Sequence, residues 1–310
     1  MTKTIGVIGL GSIGMRHAKN LKAMGHNVRA WDPDMGRRLM FNGVLWSMDE
    51  ILDCEYMVIA SPTSHHLEHL SLAANEHAHA MVEKPLSDKI SQDLLGRLMN
   101  FEDNKKTLMV GYNLRFHSCV KKAKEWLDNG RIGGPLWAQF TLGQYSDKAP
   151  YLRDGVILNW SHELDLALYL LGPARLAASS TRLTPGGIDY DNPKSMMKDD
   201  ISDIILTHIS GCRTTVHLDY VTRPEIRTFR IVGDAGRISC DLVQRDALLF
   251  NTETRVERCS FLDTWNDNYI EEMQAFLDRC DGKETIGCTG PEALEVLKIC
   301  LEVRKQAGLA

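Results

Sequence analysis

The chain has 310 residues, of which 44% are hydrophobic and 25% are charged. This length fits two domains of ordinary size, and the composition is typical of a folded globular protein rather than a disordered one. Lys and Arg total 36 against 41 for Asp and Glu, and the resulting net charge of -5 excludes the strongly basic surface that attracts nucleic acid or an anionic membrane.

The cysteines and the N-terminus indicate a cellular compartment. The eight cysteines are scattered without a C-x-x-C pair, which favours reduced thiols over a disulfide framework or a zinc site. The apolar N-terminus is short and lacks a small-residue cleavage pattern, and no apolar run approaches the roughly 18 residues of a membrane span. We therefore expect a cytoplasmic protein without a membrane segment.

Short apolar segments alternate with amphipathic ones up to about residue 117. We predict helices after Gly11, Asp49, Thr63 and Ser91, and strands at TIGVIGL, NVRAWD, YMVIASP, HAMVEKP and TLMVGYN. Strands joined by helical crossovers form a parallel sheet that is covered on both faces. The prediction is an α/β Rossmann domain, with a doubly wound parallel sheet, over residues 1–117.

The pattern changes from about residue 136, where strands follow one another with short turns such as GDAG. The predicted strands are LWAQFTLG, ISDIILTHIS, RTTVHLDYV, IRTFRIVG and GRISCDLV. One helix begins near Ser161, and the helices YIEEMQAFLDRC and PEALEVLKICLEVRKQ end the chain. Residues 118–310 are thus predicted to form an α+β domain with a mainly antiparallel sheet, and the polar segment from Pro185 to Asp200 a mobile surface loop.

A glycine-rich turn directly follows the first predicted strand. The strand TIGVI runs into GLGSIG, and the helical segment MRHAKNLKAMG comes next. A GxGxxG pattern between a strand and a helix is typical of dinucleotide binding: the first glycine allows the tight turn, the second admits the pyrophosphate and the third lets the helix pack on the strand. Free N–H groups at the helix start can hold the phosphates. The predicted cofactor-binding residues are Gly9, Gly11, Ser12, Ile13 and Gly14.

An acidic residue ends the second predicted strand. The carboxylate of Asp32 can accept hydrogen bonds from both ribose hydroxyls and would repel a 2′-phosphate. This favours NAD over NADP as the cofactor. Arg37 and Arg38 follow closely and would weaken that preference.

Three further motifs occur in chain order after the glycine turn. They are VIASPTSHHLEHLSLAANEHAHAMVEKPLS, VGYNLRFHSCVKKAKEWLDNGRIGGPLWAQ and GVILNWSHELDLALYLLG. With the glycine turn they resemble the Gfo/Idh/MocA family of sugar and cyclitol dehydrogenases: a segment ending in Glu-Lys-Pro, the passage into the second domain, and the catalytic helix. GYNLRFH and SHELD look most like members found in polysaccharide and nucleotide-sugar pathways.

The resemblance implies that a secondary alcohol of a sugar loses a hydride to nicotinamide while a side chain takes the hydroxyl proton. Lys84 matches the family's catalytic lysine, and His162 matches its helix histidine. A lysine after an apolar strand also lies at the carboxyl edge of the sheet, where ligands bind in doubly wound folds. Histidine is a natural general base because its ordinary pKa lies near neutrality.

Other residues are assigned by the same resemblance. Lys84 is also predicted to contact both the cofactor and the substrate. His66 matches a family position, although this residue could equally be a histidine on a helix surface. Arg115 could meet a phosphate or carboxylate through two hydrogen bonds. The predicted cofactor contacts are Ser61, Pro62, Thr63 and Glu83, and the predicted substrate contacts are Tyr112, Asn113, Arg115, Asn159 and His162.

Asn159 departs from the family pattern, which usually has an acidic residue a turn before the histidine. An amide can hydrogen-bond a hydroxyl but cannot accept a proton. Capping offers a simpler explanation: Asn159 or Ser161 could be the N-cap of the helix, and Glu163 with Asp165 could face the helix dipole. Capping does not explain His162.

Three functions remain open at this point. The first is an NAD-dependent oxidoreductase acting on a sugar, a cyclitol or a nucleotide-activated sugar. The second is a regulator or sensor that binds NAD without turnover, and the third is an enzyme that reduces a C=N or C=C bond. We expect no metal, because HHLEH lacks the spacing of a zinc motif. We also expect a homodimer or homotetramer, because an exposed sheet face is normally covered by another subunit.

Overall fold

The structure is a computed structural model that describes residues 2–145, 155–185, 197–251 and 255–309. Its helices are α1 Ser12–Ala23, α2 Met35–Asn42, α3 Met48–Leu52, α4 His66–Asn75, α5 Gln92–Asp103, α6 Ser118–Asp128, α7 Gly155–Asn159, α8 His162–Leu171, α9 Trp265–Cys280 and α10 Gly290–Gln306. Its strands are β1 Thr4–Ile8, β2 Asn27–Trp31, β3 Tyr56–Ile59, β4 His79–Glu83, β5 Leu108–Gly111, β6 Pro135–Gly143, β7 Ala174–Pro185, β8 Met197–His208, β9 Arg213–Asp219, β10 Ile226–Gly233, β11 Arg237–Asp241, β12 Asp246–Phe250, β13 Arg255–Ser260 and β14 Cys288–Thr289.

The chain forms two compact units. The first combines Met1–Phe116 with Thr264–Leu297, and the second combines His117–Asp263 with Lys298–Ala310. The division after Phe116 lies next to the predicted boundary. The sequence pattern assigned residues 264–297 to the second domain, whereas in the structure they belong to the first unit. The reason is burial: Met273 and Phe276 of α9 are in the same hydrophobic core as Ile5 of β1.

The first unit contains a six-stranded sheet in the order β14-β5-β4-β3-β1-β2. All neighbouring pairs among β1 to β5 are parallel, and β14 runs antiparallel to β5. The five predicted strands and the four predicted helices of this part are all found. Helix α2 was not predicted; its apolar residues Leu39 and Met40 are exposed, and the side chain of Asp34 caps it through the N–H groups of Gly36 and Arg37.

The second unit contains an eight-stranded sheet in the order β13-β12-β11-β10-β6-β9-β8-β7. Its pairs are antiparallel except β6 with β9, which are parallel. The predicted strands correspond to β6, β8, β9, β10 and β11, and the GDAG turn joins β10 to β11. The mainly antiparallel sheet is confirmed, with β7, β12 and β13 as additional strands.

The described residues of the predicted mobile loop from Pro185 to Asp200 are in strands. Residues 186–196 lie outside the described residues, whereas Pro185 ends β7 and Met197 begins β8. Asp199 and Asp200 are buried. Asp200 binds Arg182 of β7 through two hydrogen bonds of 3.0 and 2.5 Å, so these acids stabilise the sheet instead of facing solvent.

The glycine turn between β1 and α1 is packed too closely for side chains. A Cβ atom on Gly14 would overlap the carbonyl oxygen of Gly9, and a Cβ on Gly9, whose φ is +94°, would overlap the backbone of Ala60. A Cβ on Gly11, in contrast, has no neighbour within 4 Å. Gly14 and Gly9 therefore serve the packing of α1 on the sheet, while Gly11 leaves an open space at the start of the helix.

No helix in the described parts of the chain combines the length and the apolar character needed to cross a membrane.

Gly14→Ala and Gly11→Ala should separate these two roles. We expect Gly14→Ala to lower the free energy of unfolding by about 3 kcal/mol or more, because the overlap forces a backbone shift. Gly11→Ala should change it by about 1 kcal/mol at most, yet weaken NAD binding, because its methyl group occupies the space meant for the pyrophosphate. Denaturant unfolding and NAD titration of both variants measure the two effects. Equal losses of stability would contradict this assignment.

Candidate functional site

The first sheet collects the predicted cofactor residues at one edge. The carboxyl ends of parallel strands meet at the same edge, which is where doubly wound folds bind their ligands. Each of the strands β1 to β5 ends beside a residue that the sequence analysis singled out. These residues are Gly9 after β1, Asp32 after β2, Ser61 after β3, Lys84 after β4 and Tyr112 after β5.

Asp32 is buried at this edge and is held by the backbone. One carboxylate oxygen accepts a hydrogen bond from the N–H of Leu10 at 2.7 Å, and the other accepts from the N–H of Asp34 at 2.9 Å. A carboxylate oxygen can accept more than one hydrogen bond, so ribose hydroxyls can still bind. Arg37 lies 3.5 Å from the first oxygen and is half exposed, and it balances part of the negative charge.

His66 is a buried residue, so its interpretation as a surface histidine is wrong. Its side chain lies between two backbone carbonyl groups, with Nδ1 2.9 Å from the oxygen of Pro85 and Nε2 2.9 Å from the oxygen of Ser61. Burial lowers the pKa of His66, against the opposing effect of the two carbonyls. The Ser61 hydroxyl lies 2.8 Å from Nδ1 of His69. These histidines fix the loops after β3 and β4.

The histidines of HHLEH thus have protein partners. Nδ1 of His65 lies 3.3 Å from a carboxylate oxygen of Glu68. Within the described residues, the structure contains no group of three or more His, Cys, Asp or Glu side chains that could hold a metal ion.

Glu83, predicted to bind the cofactor, has its carboxylate bound inside the protein. Oε1 lies 2.6 Å from Nε2 of His17 in α1, and Oε2 accepts a hydrogen bond from the backbone N–H of Lys84 at 3.2 Å. Lys84 is half-buried, and its peptide bond to Pro85 is cis. The sequence analysis missed His17, although a histidine on the buried face of α1 was a visible signal.

Arg115 differs from the open guanidinium that was predicted. It is 2% exposed. Its Nη1 donates to the carbonyl of Gly287 at 3.0 Å and to Oε1 of Glu292 at 3.1 Å, both within the first unit. Burial raises the pKa of Glu292, but the charge of Arg115 and hydrogen bonds from Thr289 outweigh it and keep the pKa below its ordinary value. Tyr112 and Asn113 are buried as well.

In the second unit the predicted catalytic helix is divided into two. Asn159 is the last residue of α7 and His162 is the first of α8, with Trp160 and Ser161 forming a turn between them. Ser161 is the N-cap of α8 but its side chain makes no capping hydrogen bond. Asn159 is not a cap either, because it ends the preceding helix. The N-cap of α8 is therefore Ser161 by its position, and only the capping explanation of Asn159 is wrong.

The amide of Asn159 has a defined orientation. The Tyr220 hydroxyl donates to the carbonyl of Gly155 at 3.1 Å, and the same phenolic oxygen accepts a hydrogen bond from Nδ2 of Asn159 at 2.9 Å. A carbonyl can only accept, so the hydroxyl proton points to Gly155 and the amide must present its nitrogen to Tyr220. The carbonyl oxygen of the amide therefore faces away from Tyr220 and is oriented as an acceptor.

Glu163 anchors the start of α8 beside His162. Its carboxylate receives two hydrogen bonds from Arg227 of β10, with Nε at 2.7 Å from Oε1 and Nη2 at 3.1 Å from Oε2. Glu163 is 2% exposed. This bidentate ion pair, and not the helix dipole alone, accounts for the acid next to His162.

Asp199 of β8 anchors the start of α7 in the same way. Its carboxylate accepts a hydrogen bond from the N–H of Ile157 at 2.7 Å. Gly155 lies against the carboxylate with a φ of +62°, and a Cβ atom at this position would overlap it. The turn with Asn159 and His162 is thus held from two strands of the second sheet, through Asp199 and Arg227.

Two family models match the chain. One describes an oxidoreductase family with an NAD-binding Rossmann fold and matches residues 3–112, and the other describes the GFO/IDH/MocA C-terminal domain and matches residues 120–239. Together they cover most of the chain in the order that the sequence motifs predicted.

Curated relatives support the same family. Myo-inositol 2-dehydrogenase of Thermotoga maritima is 27% identical over 97% of this chain and 95% of its own length. The scyllo-inositol 2-dehydrogenase (NAD(+)) of Bacillus subtilis is 31% identical over 66% of this chain and 62% of its own length.

Solved structures share the fold at lower identity. Levoglucosan dehydrogenase in complex with NADH and levoglucosan has a TM-score of 0.87 at 18% identity, covering 99% of this chain and 98% of the other. UDP-N-acetylglucosamine 3-dehydrogenase from Acidithiobacillus ferrooxidans has a TM-score of 0.84 at 22% identity, with 100% of both chains covered. With these matches and the site geometry, the chain belongs to the GFO/IDH/MocA family of oxidoreductases and has an NAD-binding Rossmann domain at its N-terminus.

Proposed function

We propose that the chain is an NAD-dependent dehydrogenase that oxidises a secondary alcohol of a sugar, a cyclitol or a nucleotide-activated sugar. The observation that carries this proposal is the position of Lys84 directly after β4, at the same sheet edge as the glycine turn and Asp32. The names of relatives that match along nearly the whole chain support a polyol substrate, since the first is a myo-inositol 2-dehydrogenase.

The residues of the glycine turn fit NAD. The open space at Gly11 leaves room for a pyrophosphate, and the free N–H groups at the start of α1 are suited to hold it. Asp32 is placed to accept the ribose hydroxyls, and Ser61, Pro62 and Thr63 lie after β3, the strand next to β1. Bound NAD supplies a carbon that accepts the hydride.

Lys84 would stabilise the oxygen of the substrate as its proton leaves. Its ammonium group is on a half-buried side chain, where a positive charge acts on a developing alkoxide more strongly than it would in water. Buried histidines hold its two neighbours, Glu83 at the side-chain carboxylate and Pro85 at the backbone carbonyl, which limits the positions that the Lys84 side chain can reach.

His162 would act as the general base that receives the hydroxyl proton. It stands at the first position of α8, where the ion pair of Glu163 with Arg227 fixes the helix against β10. Asn159 takes the place of the family acid and would accept a hydrogen bond from a substrate hydroxyl through its oriented carbonyl oxygen. It cannot take the proton, so Lys84 and His162 carry the proton transfer.

A regulator that binds NAD without turnover is the second candidate. Asn159 favours it, because the amide removes a carboxylate that could strengthen His162 as a base. The retention of both Lys84 and His162 favours alcohol oxidation over the sensor, and also over reduction of a C=N or C=C bond.

We also propose that the protein is a homodimer or homotetramer. Along the strands of the second sheet, buried residues alternate with more exposed ones, so that one face belongs to the core and the other is open. Helices α6 and α8 contact β11 and β6. Ile205 is 41% exposed, and polar side chains share this face with apolar ones. The apolar members of the face include Trp137, Ile201, Ile205, Ile226, Val232, Leu248 and Phe250.

A cytoplasmic location completes the proposal. The structure has all eight cysteines as free thiols. Burial raises the pKa of the thiols of Cys119 and Cys280 to about 12, so neither is a reactive thiolate. Reduced, unreactive thiols are what a cytoplasmic protein is expected to carry.

Lys84→Ala and His162→Ala should each lower kcat by about 10²- to 10⁴-fold while NAD affinity changes little, because both groups act on the proton and not on cofactor binding. Absorbance of reduced nicotinamide, measured with inositols, free sugars and UDP-sugars, gives the rates. Lys89→Ala, at an exposed lysine in the same segment, is the matched control and should retain wild-type activity. NAD binding without reduction by any substrate class would favour the regulator.

Asn159→Asp should move the acidic limb of the kcat/KM profile to higher pH. A carboxylate across the turn from His162 favours the imidazolium, so the base form appears only at higher pH. Asn159→Leu, which adds no charge, should leave the limb in place and raise KM, because the hydroxyl acceptor is lost. An unchanged profile for Asn159→Asp would argue against His162 as the base.

Light scattering at micromolar concentration should give two or four times the chain mass of 34.9 kDa. The apolar part of the open sheet face is then covered by a second copy. A mass of one chain would contradict the oligomer.

A further inference from the structure

A buried acid–histidine pair connects helix α1, which follows the glycine turn, to β4, the strand that ends directly before Lys84. His17 of α1 is fully buried, and its Nε2 lies 2.6 Å from Oε1 of Glu83, the last residue of β4. The ring of Tyr269 in α9 packs edge-on against His17, with the ring centroids 5.8 Å apart. Burying such a pair costs solvation of both groups, so it is weak evidence for stability alone. Its position next to Lys84 indicates another use.

Glu83 is held in a single orientation. Its second oxygen accepts a hydrogen bond from the N–H of Lys84 at 3.2 Å, which ties the carboxylate to the backbone of the lysine. Glu83 pairs with Gly111 on the neighbouring strand β5, and a Cβ there would lie 3.1 Å from the carboxylate. The absence of a side chain at Gly111 thus makes the space into which the carboxylate folds.

The other neighbour of Lys84 is also held by a histidine. Nδ1 of His66 lies 2.9 Å from the carbonyl oxygen of Pro85. Lys84 therefore stands between two residues that buried histidines from α1 and α4 keep in place. The side chain of Lys84 starts from a backbone that has little freedom to move.

We propose that His17, acting through Glu83, is a positioning residue that sets the place and the charge of Lys84. The inference rests on the proposed function, in which Lys84 handles the substrate proton. It adds a residue that touches neither cofactor nor substrate, and it reassigns Glu83 from a cofactor contact to the connection between His17 and Lys84.

The charges around Glu83 support this role. Burial raises the pKa of Glu83, but the hydrogen bond and charge of His17, with the charge and N–H of Lys84, outweigh it and hold the pKa below its ordinary value. The charged or titratable groups that act on Glu83 are His17 from α1, Lys84 from its own strand end and His66 from α4. An ionised Glu83 in turn favours the protonated form of Lys84.

Removing His17 should therefore change Lys84 at a distance. Without the hydrogen bond from His17, the pKa of Glu83 should rise because burial is less strongly opposed, and a larger fraction of the carboxyl is protonated at a given pH. Lys84 then loses a neighbouring negative charge, and its titration moves to lower pH. His17→Gln keeps an N–H donor at this position and should preserve the wild-type behaviour in part.

The test measures the titration of Lys84 without any substrate. The rate at which acetic anhydride acylates Lys84 is followed by mass spectrometry over a range of pH in the wild type, His17→Met, His17→Gln, Glu83→Gln and the double variant His17→Met with Glu83→Gln. Asn20→Leu is the matched control on α1, because Asn20 forms a buried amide pair with Asn266 and has no hydrogen bond to Glu83. NAD titration and thermal unfolding accompany each variant.

We expect His17→Met and Glu83→Gln to lower the Lys84 midpoint by about one pH unit each, and the double variant to add little to either. His17→Gln should shift the midpoint less. Asn20→Leu should lower stability without shifting the Lys84 midpoint. If His17→Met does not fold, His17→Gln and Glu83→Gln carry the test. A wild-type midpoint in Glu83→Gln, or in a folded His17→Met variant, would overturn the inference, as would a full sum of shifts in the double variant.

Failure of the proposed function gives a different result. A wild-type protein that reduces no NAD with any polyol, but whose Lys84 midpoint shifts in His17→Met and Glu83→Gln, keeps the positioning role and loses the dehydrogenase assignment. With an active enzyme, the limb of the kcat/KM profile that belongs to Lys84 should move to lower pH together with the acylation midpoint.

Discussion

The contact of α1 with the first sheet is the constraint on which the rest of the site depends. Gly14 lies so close to the Gly9 carbonyl that it has no room for a side chain, and a side chain on Gly9 would overlap the backbone of Ala60. This contact brings the start of α1 to the carboxyl edge of β1, and one turn further it places His17 within hydrogen-bond distance of Glu83. In the proposed enzyme the glycine turn would therefore do more than admit a pyrophosphate. It would also set the distance between α1 and β4, the strand that ends directly before Lys84.

A buried carboxylate with a side-chain partner lies beside the proposed catalytic residue in each unit. Glu83 with His17 adjoins Lys84, and Glu163 with Arg227 adjoins His162. Such pairs add little net stability compared with apolar side chains of the same volume, but breaking one typically costs about 3–5 kcal/mol because the remaining charge is left unpaired. They therefore penalise alternative arrangements more than they stabilise the native one. Both pairs join a helix to a strand, which is the contact that decides where a side chain at the end of either element lies.

The sequence predicted the elements well where periodicity was strong and the contacts poorly where partners are distant. The five parallel strands and the glycine turn follow from local patterns, and they placed Lys84 and Asp32 at the correct edge. Helix α9 joins the first unit through contacts that no local pattern records. Likewise, Arg115 forms an ion pair with Glu292, far along the chain, and the amide of Asn159 donates a hydrogen bond to Tyr220. A residue type reveals what a group can bind, but only the fold determines whether a protein partner has already bound it.

Gly155 and Asp199 define which positions near Asn159 are open to change during evolution or in the laboratory. The carboxylate occupies the space where any side chain at 155 would begin, and the backbone there has a φ of +62°. A substitution at either position would disrupt the contact of the Asp199 carboxylate with the start of α7, and would therefore affect the local fold before it affected a substrate. Asn159, at the other end of the same short helix, has its side chain bound to the hydroxyl of Tyr220, which donates to the carbonyl of Gly155. If the proposed function holds, new substrate preferences should arise by exchange at 159 while 155 and 199 stay constant, and a mutant library aimed at the proposed substrate site should be built with the same division.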